Sequence, residues 1–451
     1  SLSNEIIKLA VEVLPSYFQK LFNEVLCKGY FPSIWFKGFI VPIYKSGSHT
    51  DPNNYRGICI SSCLGKFFTL IMNERLNQYL QENNIMNKCQ IGFKKKFRTA
   101  DHLLVLKTLV DYYKSKRKQI FKCFIDFRKA YISVWKEGLF LKLIMNGCSR
   151  KFIRLILNMY SSHNCSVKLD EGSTPFFKSQ IGVEQGCNLS PTLFNLFINE
   201  LPDIFNRSCT LITLNNTELS CLLYADDLVL LSESKAGFQN CQTKLDSYTK
   251  KWKLNINYKK CKVMIFGTPT QNRLYSISVW SINQNTLEIV NEYCYLGITL
   301  HSSGNFKRAQ KLIHGKALNA YHSIFKSFSN VENVPIKLML KLFSSIVTPI
   351  LLYGCEVWGP ILLGRMDSIE MFQNQILRIN REIEKLHLKF CKRVLGVHSK
   401  STNIAVFGEL GRTPLIFQIA KLVIKYWFRI KSPFFSNTLV GEAAKACMEL
   451  K

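Results

Sequence analysis

The tetrapeptide Tyr224-Ala225-Asp226-Asp227 lies between two apolar runs, Leu222-Leu223-Tyr224 and Leu228-Val229-Leu230-Leu231. Two adjacent carboxylates inside a hydrophobic hairpin repel each other and lose hydration unless a cation neutralises them. Read alone, the pair is equally a solvated turn, because Asp favours turns. A second apolar run, Phe124-Ile125-Asp126-Phe127, also ends in Asp, in a chain with 31 acids against 60 Lys and Arg. Three carboxylates at the ends of neighbouring strands form an oxygen-only donor set suited to two Mg²⁺ ions, with Mn²⁺ as the alternative. Paired ions of this kind serve in-line phosphoryl transfer.

The charge balance names the other party to that chemistry. The chain has 451 residues and a formal net charge of +29. Such an excess favours a polyanionic partner, nucleic acid before membrane, because released counterions drive binding to phosphate. Together with the acids it suggests nucleotidyl transfer on nucleic acid; a basic enzyme without a polymer substrate is the blander reading. A hydrophobic fraction of 47% excludes general disorder, and the length suits two to four structural units.

The 16 cysteines are scattered. Cys123, Cys221 and Cys294 sit in apolar runs and read as small core residues. The nearest pair, Cys59 and Cys63, has no His at ligand spacing, so neither a zinc site nor a disulfide framework is expected. The Ser-Leu-Ser start, with no Met and no signal-like segment, reads as part of a longer chain. Apolar stretches such as Ile346 to Tyr353 are too short to span a bilayer, so no membrane partner is expected.

Helical spacing runs from 5 to 28 with a break at Pro15. Phe39 to Tyr44 and Tyr55 to Ile60 are β-rich runs joined by the turn formers of 46–54, a hairpin with a long tip. Helices are expected over Leu64–Glu82 and Thr99–Lys116, and a buried strand over Ile120–Phe127. Ser190-Pro191 opens a core helix through Leu201, with Ser190 at the N-cap. After Gly304 the pattern is helical.

These residues, in this order, resemble the reverse transcriptases of non-LTR (LINE-type) retrotransposons. Asp126-Phe127-Arg128-Lys129-Ala130-Tyr131 is similar to the first catalytic block, and Tyr224-Ala225-Asp226-Asp227 to the second. Gly182 to Pro191, containing Gln185-Gly186-Cys187, is similar to the block beside template and incoming nucleotide. Pro42 to Lys45 and Asn54 to Ile58 match the fingers hairpin; Trp252 to Asn257 with Lys260, and Tyr295 to Ile298, match later palm and primer-grip blocks.

The resemblance implies an α+β right-hand polymerase, with fingers, an antiparallel palm sheet, a thumb and a helical C-terminal region. The expected divisions are 1–120 (helical extension and fingers), 121–300 (palm), 301–380 (helical thumb) and 381–451 (C-terminal helices). It makes Asp126, Asp226 and Asp227 the catalytic metal ligands. Lys45 and Arg56 then meet the triphosphate of a dNTP, although Lys45 also reads as a solvated hairpin base. Gln185 and Gly186 lie near the nascent base pair, Tyr131 walls off a 2′-OH, and Lys260 donates a proton to pyrophosphate. RNA template and DNA primer are the implied partners. An N-terminal endonuclease is expected in a full-length element and is not in this chain. The implied location is intracellular, cytoplasmic as a ribonucleoprotein and nuclear at integration. The family usually places a second Asp just after the aromatic of the first block, where Ile132 stands here. A decayed, nucleic-acid-binding remnant is therefore the alternative, and an RNA polymerase using NTPs fits the motifs less well.

Three basic clusters are candidate phosphate contacts. Lys94, Lys95 and Lys96 follow Ile91-Gly92-Phe93. Lys307, Arg308 and Lys311 open an acid-free stretch from Phe306 to Phe328. Lys421, Lys425 and Arg429 recur at i, i+4, i+8, a stripe that also reads as a solvated helix face.

Overall fold

The computed structural model describes residues 3–161, 163–207, 211–215, 217–267, 280–282, 285–331, 333–364 and 382–450. Along the chain, α1 (Asn4–Val13) and α2 (Pro15–Lys28) precede the strands β1 (Lys37–Tyr44) and β2 (Tyr55–Ile60). Next come α3 (Cys63–Glu82), α4 (Thr99–Ser115), β3 (Ile120–Ile125), β4 (Asn164–Leu169) and α5 (Ser190–Phe197). The hairpin β5 (Cys221–Tyr224) and β6 (Asp227–Ser232) is followed by β7 (Lys262–Phe266) and β8 (Glu288–Ile289). Among the described residues after Gly304 the regular elements are helical, including α6 (Lys307–Ser327) and α7 (Leu415–Ile430).

Two five-stranded sheets organise the first two thirds. In one, β1 pairs antiparallel with β2, Tyr44 opposite Tyr55, and parallel with β4, Gly38 opposite Cys165. In the other the order is β8-β7-β3-β6-β5. Its centre, β3, is buried along its whole length, as expected of a strand covered on both faces. One residue there breaks the apolar pattern. The Lys122 ammonium donates to the Leu106 carbonyl at 3.1 Å and lies over the Phe266 ring, and burial pushes its pKa down to about 7.

Several expected elements form within a residue or two. The break between α1 and α2 falls at Pro15, whose missing N–H suits a first helical turn. The β1–β2 hairpin and the helices α3 and α4 lie where the periodicity puts them. Two expectations need correction. Ser190 is the first residue of α5 rather than its N-cap, which is Leu189, and its hydroxyl faces that of Tyr160 at 3.4 Å. The helix also stops at Phe197, and a separate one starts at Leu201. The strand expected over Ile120–Phe127 ends at Ile125, leaving Asp126 just beyond the ladder. The expected thumb boundary at 380/381 lies outside the described residues. No single helix among the described residues is long and apolar enough to cross a membrane.

Candidate active site

Strand register assembles the carboxylates. Leu228 of β6 pairs with Ile125 of β3, so one further step of the antiparallel register sets Asp227 beside Asp126. Asp227 also pairs with Tyr224 across the β5–β6 hairpin, leaving Ala225 and Asp226 as a two-residue turn. Ala225 has φ +54°, a left-handed conformation that is strained for a residue with a Cβ. The fully buried Gln90 amide holds it there. Gln90 Oε1 accepts from the Ala225 and Gly92 N–H groups at 3.0 and 2.9 Å, and its Nε2 donates to the Ala225 carbonyl at 3.3 Å. Gly92 permits this approach, since a Cβ on it would stand 2.2 Å from the Ala225 nitrogen.

Asp126 is fixed from the other side by the segment 255–257. The Asn257 N–H donates to the Asp126 carbonyl at 2.8 Å, and its side-chain amide to Asp126 Oδ2 at 3.1 Å. Lys260, one turn on, brings Nζ to 4.0 Å from the same oxygen. Gln90 and Asn257 are positioning residues that motif spacing does not reveal. Their visible signal is only a polar amide within a short apolar stretch.

The electrostatics confirm the crowding. Burial raises the Asp226 carboxyl above the usual range and Asp126 raises it further, while Arg56 and Lys45 pull it back. Asp227 is pushed up to about 6 by lost hydration, then by Asp226 and Asp126. On the opposite side, the Lys45 pKa is lowered, first by desolvation and then by Arg56, Lys260 and Lys129, with Asp126 opposing. Thus the hairpin bases face the acids across a gap. Lys129, which donates to Asn53 Oδ1 at 3.0 Å, joins them although the sequence did not single it out. Asp226 and Asp227, repelling each other and holding protons above the usual range, offer only oxygen donors and fit a hard divalent cation.

A cavity of about 640 Å³ is lined by Arg56, Phe93, Tyr131, Gln185, Gly186 and Asp226 among others. Tyr131 stacks on Phe194, ring centroids 4.8 Å apart, and its buried hydroxyl has no hydrogen-bond partner. Gln185 Oε1 is likewise buried without a partner. Gly186 also has a neighbour within the protein. At φ +126° its Cβ position lies 2.3 Å from the Cys59 carbonyl, so glycine lets this loop seat against β2, where the Cys59 N–H donates to the Gln185 carbonyl at 2.7 Å. Ile132 is 43% exposed and is not among the residues lining the cavity.

The basic clusters divide. Lys307, Lys311, Lys421 and Lys425 are exposed and have no ion-pair partner among the described residues. Arg308 pairs with Glu292 at 3.1 Å, and Lys95 pairs with Glu74. Lys96 is exposed, its ammonium 4.4 Å from the Phe434 ring centroid. Two expected phosphate contacts are corrected. Lys94 donates to the Asn87 carbonyl at 2.9 Å, and burial pushes its pKa down to about 8. Arg429 turns inward, pairing with buried Asp101 and donating to the Lys96 carbonyl at 2.6 Å.

Residues 43–300 match the family described as reverse transcriptase (RNA-dependent DNA polymerase). Among curated relatives, the RNA-directed DNA polymerase from mobile element jockey of Drosophila melanogaster is 25% identical over 385 residues, covering 84% of this chain and 41% of the relative. The probable RNA-directed DNA polymerase from transposon X-element of the same species is 24% identical over 375 residues, covering 80% of this chain and 39% of the relative. The chain therefore spans about two fifths of the length of these relatives. Apo telomerase from Candida tropicalis aligns at a TM-score of 0.44 and 13% identity, covering 96% of this chain and 72% of that one.

Proposed function

The chain belongs to the reverse transcriptase (RNA-dependent DNA polymerase) family, and on that premise we propose that it extends a DNA primer with dNTPs on an RNA template for a non-LTR retrotransposon. The observation that carries this reading is the convergence of Asp126, Asp226 and Asp227 opposite Lys45, Arg56 and Lys260 beside the cavity.

Asp126, Asp226 and Asp227 would hold Mg²⁺, two ions in our reading with Mn²⁺ able to replace them; bound there, the metal supplies the positive charge that acidifies the primer 3′-hydroxyl and balances the phosphates. The rest of the chemistry falls to side chains. Arg56 grips triphosphate oxygens through its planar fork, and Lys45 adds a point charge. As the 3′-oxygen, its proton passed to water, bonds to the α-phosphorus and the bond from that phosphorus to the bridging oxygen breaks, Lys260 would give a proton to the leaving pyrophosphate. Tyr131, held by Phe194, occupies the space a ribose 2′-OH needs. The free amide oxygen of Gln185 is available to the nascent base pair.

Primer extension on an RNA template with dNTPs and Mg²⁺ tests the proposal. DNA product of template length is expected. Tight primer–template binding with no product, or extension with rNTPs instead, would contradict it.

A further inference from the structure

β1 runs between β2 and β4, with Ile40 opposite Cys59 and Gly38 opposite Cys165. Residues two apart on a strand share a face, so both thiols project on the side where Gly38 has no side chain. A Cβ at Gly38 would stand 2.2 Å from Cys59 Sγ, 3.7 Å from His163 Nε2 and 3.9 Å from Glu184 Oε1. His163 Nε2 lies 3.2 Å from Cys165 Sγ. The donor atoms of Cys59, His163 and Cys165 all lie within 4.8 Å of one another. All four residues are buried, each at most 5% exposed. The buried Glu184 carboxylate lies beside the Cys59 thiol, on the same side of the sheet as the other donors.

We propose that Cys59, His163, Cys165 and Glu184 form a structural zinc site that ties β2 and β4 to the loop bearing Gln185 and Gly186. Sulfur and imidazole donors select Zn²⁺ over the hard cations suited to the palm acids. Tetrahedral bonds of about 2.0–2.3 Å set donor atoms roughly 3.3–3.8 Å apart, within the 4.8 Å that encloses the Cys59, His163 and Cys165 donors. Two thiolates and a carboxylate outweigh the ion by one charge, and buried Lys136 lies within electrostatic range of Cys165. The position also explains what the site would do. Glu184 adjoins Gln185, whose carbonyl Cys59 holds, so metal binding would lock the cavity wall onto the fingers sheet. The inference goes beyond the polymerase reading and does not depend on it.

The test is titration of the full chain, reduced and stripped of metal, with Co²⁺ as the probe. One equivalent should produce the intense visible absorption of tetrahedral, thiolate-bound cobalt. Excess Mg²⁺ should leave that absorption in place, Zn²⁺ should abolish it, and Zn²⁺ should raise the melting temperature. Cys165→Ser and His163→Gln should lose the signal, whereas Asp226→Asn should keep it while losing primer extension. Should the cysteine variant fail to fold, the wild-type spectrum and melting shift still decide. Absence of tetrahedral absorption in folded, reduced wild type would overturn the site, as would an unchanged signal in folded Cys165→Ser.

Discussion

Around the palm carboxylates, Lys45, Arg56 and Lys260 converge on the acids, and the nearest approach is the 4.0 Å between Lys260 and Asp126. Between α4 and α7 the positive charge is used in the opposite way. Arg429 pairs with Asp101, donates to the Lys96 carbonyl, and lies 5.0 and 4.7 Å from the Tyr426 and Phe435 ring centroids. The first group remains open to an anion from outside, whereas Arg429 is already neutralised and serves as a clamp between helices. A net charge of +29 is therefore not one continuous phosphate-binding surface. Which bases meet a polyanion depends on whether the fold supplies each with an internal acceptor.

The sharpest way to break this contrast is to remove one side of it. Asp226→Ala should lower the rate of dNTP addition by about 10³-fold or more in single-turnover primer extension, because a ligand of the metal that balances the reacting phosphate is lost. Arg429→Ala should cost about 3 kcal/mol of stability in denaturant unfolding, since it leaves the Asp101 charge buried without its partner. Primer–template affinity of the folded variant should not change; a large loss would return Arg429 to the phosphate-binding group. Arg56→Ala should raise the KM for dNTP roughly 10-fold to 100-fold while folding is unaffected, the scale of a lost charge-assisted hydrogen bond.

The acids also predict a pH dependence. Asp227 is raised from 3.8 to about 6. A raised carboxyl means that the folded, metal-free protein holds its proton longer than the unfolded chain does. That contribution to stability is present below about pH 4 and lost as pH rises through about 6. Cation binding needs the ionised form, so the Mg²⁺ concentration for half-maximal activity should rise as pH falls below 6, by up to about tenfold per unit. Asp227→Asn should remove this titration. The smallest effect concerns the exposed stripes: Lys421→Ala and Lys425→Ala should each flatten the salt dependence of primer–template binding by about one unit of log–log slope if they touch phosphate. Lys95→Ala, with its Glu74 partner, should leave the slope alone.

The palm acids were legible in the sequence because a strand has period two and a buried strand tolerates few charges. An Asp ending each of two apolar runs is a local pattern, and so is the β1–β2 hairpin with its turn-rich tip. Much of the support around the site is not local. Gln90 grips Ala225 from 135 positions away, and Arg429 finds Asp101 across 328. No helical or strand period encodes either contact. The same limit hid the cysteines: a search for paired thiols along the chain finds Cys59 and Cys63, whereas the sheet sets Cys59 beside Cys165 by running β1 between them. The N-terminus of α5 shows a subtler failure, with Leu189 taking the cap position although Ser190 has the better capping chemistry.

Cleavage by bound iron tests the central claim most directly. With Fe²⁺ in place of Mg²⁺, ascorbate and peroxide should cut the chain around residue 126 and around residues 225–227 together, and excess Mg²⁺ should suppress both sets of cuts. Cuts confined to one of these segments, or absent from both while others appear elsewhere, would show that the three acids do not share a metal.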